Sequence, residues 1–217
     1  MSEIRSFRFG LDIGQKRDHS ALCLVEERGP KLVVKLLVKY PLMTSFPVIF
    51  KTVQQAYSNV SQIGQIASFA VDATGTGQSP AQMLQQLIPE GRIEAFIFNN
   101  KNKREMVGKL KVLHSYGRLK FARRMGDATY NQTLLELVNE LRNLQAKIIR
   151  EDPSNPEIEV FRTGSHDDMV SALCLALKDV EIREEYTDAM FLVEDRTWQR
   201  TPLDQGPYSE PITSFSW

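Results

Sequence analysis

The chain has 217 residues, 42% of them hydrophobic, and its 27 basic side chains balance its 27 acidic ones. This length and composition predict a globular domain with a full-sized core and exclude a chain that is disordered throughout. No stretch is long and apolar enough for a membrane span, and the N-terminus lacks the pattern of a secretory signal, so we expect a cytoplasmic protein with no membrane partner. The two cysteines, Cys23 and Cys174, lie within apolar runs, which predicts buried thiols.

The N-terminal part of the chain predicts three consecutive strands, at residues 7 to 13, 20 to 26 and 32 to 38. Each is an alternating or continuous apolar run, and the turn residues Gly29 and Pro30 separate the second run from the third. Short connections join antiparallel neighbours, so the predicted sheet begins antiparallel.

Strands then alternate with helices along the middle of the chain. The spacing of apolar residues predicts helices over 46 to 63, 79 to 87 and 103 to 116, and short apolar runs predict strands at 66 to 71 and 93 to 98. A strand that follows a strand and a helix usually pairs in parallel with the earlier strand, so the later part of the sheet is predicted to be parallel.

Two further helices and a short strand are predicted after residue 120. Apolar residues at helical spacing predict a helix over 127 to 149, and a strand is expected at 158 to 161. Ser165 is a candidate N-cap for a last helix that runs to about Val180 and carries Asp167 and Asp168 in its first turn.

The chain is predicted to divide near Glu184. Apolar periodicity fades there, and prolines, a glycine and scattered aromatic residues follow. We therefore expect one domain over residues 1 to 183 and a C-terminal extension over residues 184 to 217.

Three aspartates stand at the ends of these core elements. Asp12 ends the first strand in FGLDIG, Asp72 ends the fourth strand in FAVDATGTG, and Asp168 lies in the first turn of the last helix in HDDMVSAL. A carboxylate beside an apolar run is costly unless a cation pairs with it, and oxygen-only ligands select hard ions such as magnesium or manganese. Each aspartate also has a purely structural interpretation: a turn cap for Asp12, an Asx turn for Asp72, and the helix dipole for Asp167 and Asp168.

The order of elements is typical of the RNase H-like fold, an α/β fold with a mixed central sheet flanked by helices. In such a sheet the C-terminal ends of the first and fourth strands lie side by side, which places Asp12 and Asp72 together. A helix packed on the sheet could bring Asp168 to the same place, where three carboxylates would repel one another without a cation. Two divalent ions about 4 Å apart could then hold an attacking water and stabilise the leaving oxygen of a phosphodiester.

The motifs resemble those of the C-terminal nuclease domain of viral large terminase subunits, the DNA-packaging motors of tailed phages and related viruses. The resemblance spans residues 7 to 180, and its carriers are GLDIG with DHSA, VDATGTG and, above all, GSHDDMVSALCLA. By this resemblance Asp12, Asp72 and Asp168 are metal ligands, and Asp167 is an adjacent ligand or the substitute for Asp168. The same four aspartates are the predicted catalytic residues.

Four neighbouring residues have weaker assignments. Asp18 could assist Asp12 from across the turn, but a turn role is at least as compatible with the sequence. For His19 and His166 we expect local hydrogen bonding rather than a catalytic role. Ser171 stands where relatives often carry another acid, so a fourth ligand is not assumed there.

Basic residues concentrate in a segment that contains a single acid, Glu105. We call it the basic segment, and it comprises Lys101, Lys103, Arg104, Lys109, Lys111, Arg118, Lys120, Arg123 and Arg124. This concentration suits a polyanion, although a solvated helix face would have the same composition. Lys101, Lys103, Arg104 and Lys109 are the candidates for contacts with the DNA backbone.

The resemblance implies a metal-dependent DNA endonuclease that cleaves concatemeric viral DNA during genome packaging with two divalent ions, Mg²⁺ or Mn²⁺. Its implied partners are double-stranded DNA, the terminase ATPase domain, the small terminase subunit and the portal, and its implied location is the cytoplasm of the host cell. The sequence contains no P-loop motif, so we expect the ATPase half of such a motor to lie outside it.

Three alternatives are open at this point. A RuvC-like junction resolvase shares the fold and would differ by dimerisation and by a preference for four-way junctions. An actin-like or sugar-kinase-type ATPase has similar phosphate loops, but it leaves the HDD sequence at 166 to 168 unexplained. A degenerate nuclease domain could serve as a docking module for the portal or the small subunit, although all three acidic positions are intact.

Overall fold

The computed structural model of the chain is an α/β fold, described over residues 5–14, 18–75, 78–121, 124–150, 157–162 and 167–182. Its elements in chain order are β1 (Ser6–Asp12), β2 (Ala21–Arg28), β3 (Lys31–Lys39), α1 (Phe46–Ser61), β4 (Gln65–Asp72), α2 (Ser79–Leu87), β5 (Ile93–Phe96), α3 (Asn100–Ser115), β6 (Leu119–Phe121), α4 (Ala128–Arg142), β7 (Leu144–Arg150), β8 (Glu157–Arg162) and α5 (Asp168–Leu177). Among the described helices, none combines the length and the apolar character needed to cross a membrane.

Six strands form a mixed sheet in the order β5-β4-β1-β2-β3-β6. The pairs β1 with β2 and β2 with β3 are antiparallel, whereas β4 runs parallel to both β1 and β5, and β6 runs parallel to β3. This arrangement confirms the predicted mixed sheet, with its antiparallel beginning and its parallel continuation. β7 and β8 form a separate antiparallel pair.

Helices cover both faces of the six-stranded sheet. α1 and α2 pack on one face, and α3, α4 and α5 pack on the other. Successive side chains of a strand point to opposite faces, so in β2 Leu22 and Leu24 join the core beneath α1, while Cys23 and Val25 join the core beneath α5. Cys174 of α5 lies in the same core as Cys23, and both are free, buried thiols as predicted.

α5 packs directly on β1 because Gly10 has no side chain. A Cβ atom on Gly10 would lie 2.0 Å from the carbonyl oxygen of Ala172 and 2.5 Å from the amide nitrogen of Ala176, both backbone atoms of α5. Real Cβ atoms do not approach backbone this closely, so the glycine and the two alanines allow the helix to lie against the strand. All ten residues of α5 are buried as a result.

The prediction of one helix over 127 to 149 is wrong. α4 ends at Arg142, Asn143 caps it, and β7 begins at Leu144. Leu144 and Ile148 are spaced by four residues, which suits a helix, but the β-branched pair Ile148 and Ile149 suits a strand equally well. The predicted strand at 158 to 161 is confirmed as β8, and it supplies the partner that makes β7 a strand.

The start of the last helix also differs from the prediction. α5 begins at Asp168 with Asp167 as its N-cap residue, so Asp167 precedes the first turn instead of belonging to it. Ser165, the predicted N-cap, lies outside the described residues, as does the extension at 184 to 217, so the division of the chain near Glu184 stays a prediction. β6 was not predicted, because three residues are too few to establish a strand pattern.

Gly10→Ala is expected to destabilise the domain, because the new methyl group would push α5 away from β1. Overpacking of this kind costs about 1–3 kcal/mol in the free energy of unfolding, which urea titration would measure. Gly108→Ala is the matched control: no atom lies within 4 Å of a Cβ there, so in the interior of α3 the alanine should stabilise by about 0.5–1 kcal/mol. A Gly10→Ala protein as stable as the parent would contradict the close packing.

Candidate metal centre

Four aspartates lie together at one end of the sheet, and we call them the acidic cluster. Asp12 is the last residue of β1 and Asp72 is the last residue of β4. These strands are parallel neighbours with Leu11 beside Val71, so the two aspartates that follow leave the sheet at the same edge. Asp168 is the first residue of α5, and Asp167 immediately precedes it.

The contact between β1 and α5 sets the distance between Asp12 and Asp168. Asp12 lies two residues, about 7 Å, beyond Gly10 along the strand. Asp168 lies one helical turn, about 6 Å, before Ala172 along the helix. Both carboxylates are withdrawn from solvent, with only 8% of Asp12 and 6% of Asp168 exposed. The close backbone contact therefore holds two buried acids near each other.

The charges of the other three aspartates act on Asp12. Burial raises the pKa of Asp12 well above its ordinary value, and the negative charges of Asp72, Asp168 and Asp167, in that order, raise it further. The ammonium group of Lys103 acts in the opposite direction and lowers this pKa. Burial also raises the pKa of Asp72, against hydrogen bonds from Thr74 and the charge of Lys103. The structure thus brings together all four predicted aspartates.

Asp72 and Asp167 make contacts with residues outside the acidic cluster. Asp72 Oδ1 accepts a hydrogen bond of 2.7 Å from the backbone N–H of Thr74, as in the Asx turn considered from the sequence. The hydroxyl of Thr74 in turn accepts a 2.7 Å hydrogen bond from the N–H of Phe98, which ties the loop after β4 to the chain after β5. Asp167 forms an ion pair with the ammonium group of Lys103 on α3.

The donor set of the acidic cluster suits a hard divalent cation, because it consists of carboxylate oxygens. Within the described part of the chain, no group of three or more His, Cys, Asp or Glu side chains is already arranged to hold a metal ion. Magnesium ligands lie about 2.0–2.1 Å from the ion, so binding requires the carboxylates to turn towards a common point. The ion pair between Lys103 and Asp167 would have to open if Asp167 were a ligand.

The basic segment divides into exposed and structural residues. Lys101 and Arg104 are exposed on α3, whereas Lys103 is paired with Asp167. Lys109 donates a 2.5 Å hydrogen bond to the carbonyl of Lys178 at the end of α5, and burial lowers the pKa of its ammonium group. Arg118 is 3% exposed and donates to two backbone carbonyls, of residues 30 and 181. Lys101 and Arg104 are thus the candidates best placed to meet DNA.

The weaker candidates have local roles or lie outside the described residues. His19 Nδ1 lies 2.8 Å from the carbonyl oxygen of Tyr40, which is the local hydrogen bond expected for it. Asp18 is exposed at the end of the loop before β2. Ser171 is buried on α5, and His166 is outside the described residues.

Glu140 of α4 is a residue near the site that the sequence analysis missed. Its side chain is 1% exposed, and its Oε2 atom accepts hydrogen bonds of 3.1 Å and 3.2 Å from the N–H groups of Met169 and Val170 in the first turn of α5. The available signal was its place on the apolar face of the predicted helix, between Leu137 and Leu141. A carboxylate on such a face requires a buried partner.

Residues 9–179 match the family model described as the terminase RNase H-like domain. The chain belongs to this family. The match bears out the resemblance to large terminase nuclease domains, and it favours a terminase domain over the junction resolvase and the actin-like or sugar-kinase-type ATPase. No curated protein sequence matches the chain.

Solved terminase structures share the fold at low sequence identity. The large terminase nuclease of thermophilic phage G20c with bound magnesium is 18% identical, with a TM-score of 0.57 over 82% of each chain. The manganese-soaked nuclease domain of human cytomegalovirus terminase is 12% identical, with a TM-score of 0.56 over 80% of this chain and 85% of that one. The large terminase of a second thermophilic bacteriophage is 9% identical, with a TM-score of 0.57. The match covers 82% of this chain and 40% of the phage protein. These matches confirm the RNase H-like fold.

Asp12→Asn is expected to stabilise the metal-free domain at neutral pH. Because burial and the neighbouring acids raise the pKa of Asp12, its charged form opposes folding at pH 7, and the neutral isostere removes that penalty. We expect a gain of about 0.5–2 kcal/mol in the free energy of unfolding, measured by urea titration in EDTA.

The gain should shrink as the pH falls through the raised pKa of the folded state and should vanish below about 3.9, where the carboxyl is protonated in both the folded and the unfolded states. Asp18→Asn is the control, since Asp18 is exposed. A loss of stability in Asp12→Asn at pH 7 would contradict the repulsion within the acidic cluster.

Proposed function

We propose that this terminase-family domain is a metal-dependent endonuclease that cleaves double-stranded viral DNA during genome packaging. The observation that carries the proposal is the convergence of four aspartates, two of them almost fully buried, in a chain of this family. Related nuclease domains have been solved with bound magnesium and after a manganese soak, which supports a divalent ion as the countercharge for these acids.

Asp12, Asp72 and Asp168 would hold the metal, with Asp167 as a further ligand. Two divalent ions, when bound, would activate a water as nucleophile and stabilise the leaving oxygen of the phosphodiester, as in other two-metal sites. The residues of the chain fix the geometry: β1 and β4 present Asp12 and Asp72 side by side, and α5 adds Asp168 from the adjoining layer. The burial of Asp12 and Asp168 keeps water from screening their charges.

A role in genome packaging also implies partners for this domain. In the large terminase of the second thermophilic bacteriophage, the matched region accounts for 40% of the chain, which supports a nuclease domain that works beside an ATPase domain. The substrate would be concatemeric viral DNA in the cytoplasm of the host cell, and the small terminase subunit and the portal would be the other partners. Water would be the nucleophile, and the resemblance to terminase nuclease domains implies that cleavage leaves 5′-phosphate and 3′-hydroxyl ends.

Incubation with supercoiled plasmid tests the activity. The parent chain should convert the plasmid to nicked and linear forms with Mn²⁺ or Mg²⁺ and should be inactive in EDTA. Asp72→Asn should reduce the rate by at least about 100-fold, because it removes a proposed ligand while leaving the acceptor of the Thr74 hydrogen bond in place. Glu90→Gln, at an exposed acid outside the acidic cluster, should cut at the parent rate.

Other outcomes would favour other functions. Cleavage that persists in EDTA, or equal cleavage by Asp72→Asn, would overturn the metal-dependent mechanism. A parent chain that turns over ATP and leaves DNA intact would favour the actin-like or sugar-kinase-type ATPase. DNA binding without cleavage under any metal would favour a docking module.

Lys101 and Arg104, which are exposed near the start of α3, are expected to contact the DNA backbone. Replacing both Lys101 and Arg104 by alanine should weaken duplex binding equally for different sequences, and the slope of log K against log salt concentration should fall by about 2. Fluorescence anisotropy of a labelled duplex in Ca²⁺, over a range of salt concentrations, would measure this slope. Lys51→Ala is the control, because Lys51 is exposed on α1 across the sheet. An unchanged slope in the double variant would exclude these two residues from the interface.

A further inference from the structure

The N-terminus of α5 is capped by a side chain from another helix. Asp167 occupies the N-cap position, where an aspartate ordinarily accepts a hydrogen bond from the second or third N–H of the helix. Its side chain accepts neither of these bonds. Glu140 of α4 instead accepts from the first turn of α5, because its Oε2 atom lies 3.1 Å from the nitrogen of Met169 and 3.2 Å from that of Val170.

The carboxylate of Asp167 is directed elsewhere. It pairs with Lys103 of α3, and its charge also acts on Asp12. If Asp167 capped its own helix, this carboxylate would turn towards the amides of α5 and away from the cluster. The two arrangements compete for the same side chain.

We propose that Glu140 is a positioning residue for the metal centre. By capping α5 in place of Asp167, it leaves the Asp167 carboxylate to the acidic cluster and fixes the turn that carries Asp168. The consequence for DNA cleavage rests on the endonuclease function proposed above, whereas the consequence for metal binding does not.

The surroundings of Glu140 support a dedicated role for its charge. It lies on the apolar face of α4, where an uncompensated carboxylate would cost several kcal/mol. Compensation comes from the two amides at the positive end of the α5 dipole and from Lys39 of β3, whose Nζ is 4.0 Å from Glu140 Oε1. Lys39 also pairs with Glu136 at 3.1 Å, one turn earlier on α4. Glu136 therefore lies on the same helix as Glu140 and pairs with the same lysine, but among the described contacts it makes none with α5.

Mn²⁺ binding by the full chain without DNA, measured by isothermal titration calorimetry, tests the proposal. Glu140→Ala should weaken binding by about 10–100-fold, the range found when residues that orient metal ligands are removed. Glu140→Gln should restore most of the affinity, because its amide oxygen can accept the same two hydrogen bonds. Glu136→Ala should bind as the parent does, since it changes the partner of Lys39 and leaves the cap intact.

A purely structural role gives a different pattern. Circular dichroism and thermal unfolding in EDTA would show which variants are folded, and a Glu140→Ala protein that is less stable but binds Mn²⁺ like the parent would overturn the proposal. If Glu140→Ala does not fold, Glu140→Asp replaces it, because the buried charge is kept while the shorter side chain withdraws its oxygen from the amides, and the same loss of affinity is expected.

The coupling between Glu140 and Asp167 is a second readout. In Glu140→Ala the Asp167 carboxylate is expected to turn to the vacated amides, so adding Asp167→Asn should weaken Mn²⁺ binding little further. Fully additive losses would contradict the competition between the two caps. A parent chain that binds Mn²⁺ but leaves DNA uncut would overturn the endonuclease function alone, whereas a parent chain that binds no Mn²⁺ would overturn the positioning role as well.

Discussion

The candidate metal centre depends on the close approach of α5 to β1 at Gly10. A helix can lie on a strand at this distance only where neither backbone carries a bulky side chain, and Gly10 meets the small residues Ala172 and Ala176 there. The acids stand a short, fixed distance from the contact, Asp12 along the strand and Asp168 along the helix. The packing of α5 on β1 in the core therefore determines the spacing of Asp12 and Asp168 at the edge of the sheet.

The acidic cluster is held together by opposing electrostatic effects. Burial raises the pKa of Asp12 most, and the negative charges of the three neighbouring aspartates raise it further. Lys103 offsets part of this negative charge through its ion pair with Asp167, and Glu140 engages the helix amides that would otherwise attract Asp167. Binding of a cation would replace protein ion pairs, such as that between Asp167 and Lys103, by contacts between the carboxylates and the cation. The affinity would thus depend on the difference in free energy between these two arrangements. Residues outside the ligand set determine that difference.

Much of the fold and the cluster could be predicted because short-range patterns decide them. The runs that end at Asp12 and Asp72 predict neighbouring strands, and the position of Asp168 at the start of a buried helix followed from its sequence neighbours. The change from α4 to β7 could not be predicted, because Leu144 and Ile148 fit a helix and a strand equally well and the pairing with β8 decided between them. Glu140 and Lys103 were missed as partners of the site for a related reason. Their contacts join helices that are far apart in sequence, and no local pattern records them.

The reactivity of the two buried thiols reports on the packing of α5. Cys174 of α5 and Cys23 of β2 are buried in one layer, and burial raises the pKa of Cys174 to about 12 and that of Cys23 beyond the usual thiol range. Neither sulfur can react with an alkylating reagent while α5 stays seated, because the reagent needs both access and a thiolate. The rate of alkylation therefore reports how often α5 separates from the sheet. Mass spectrometry of the alkylated cysteines would therefore follow the packing that supports the acidic cluster without any introduced label.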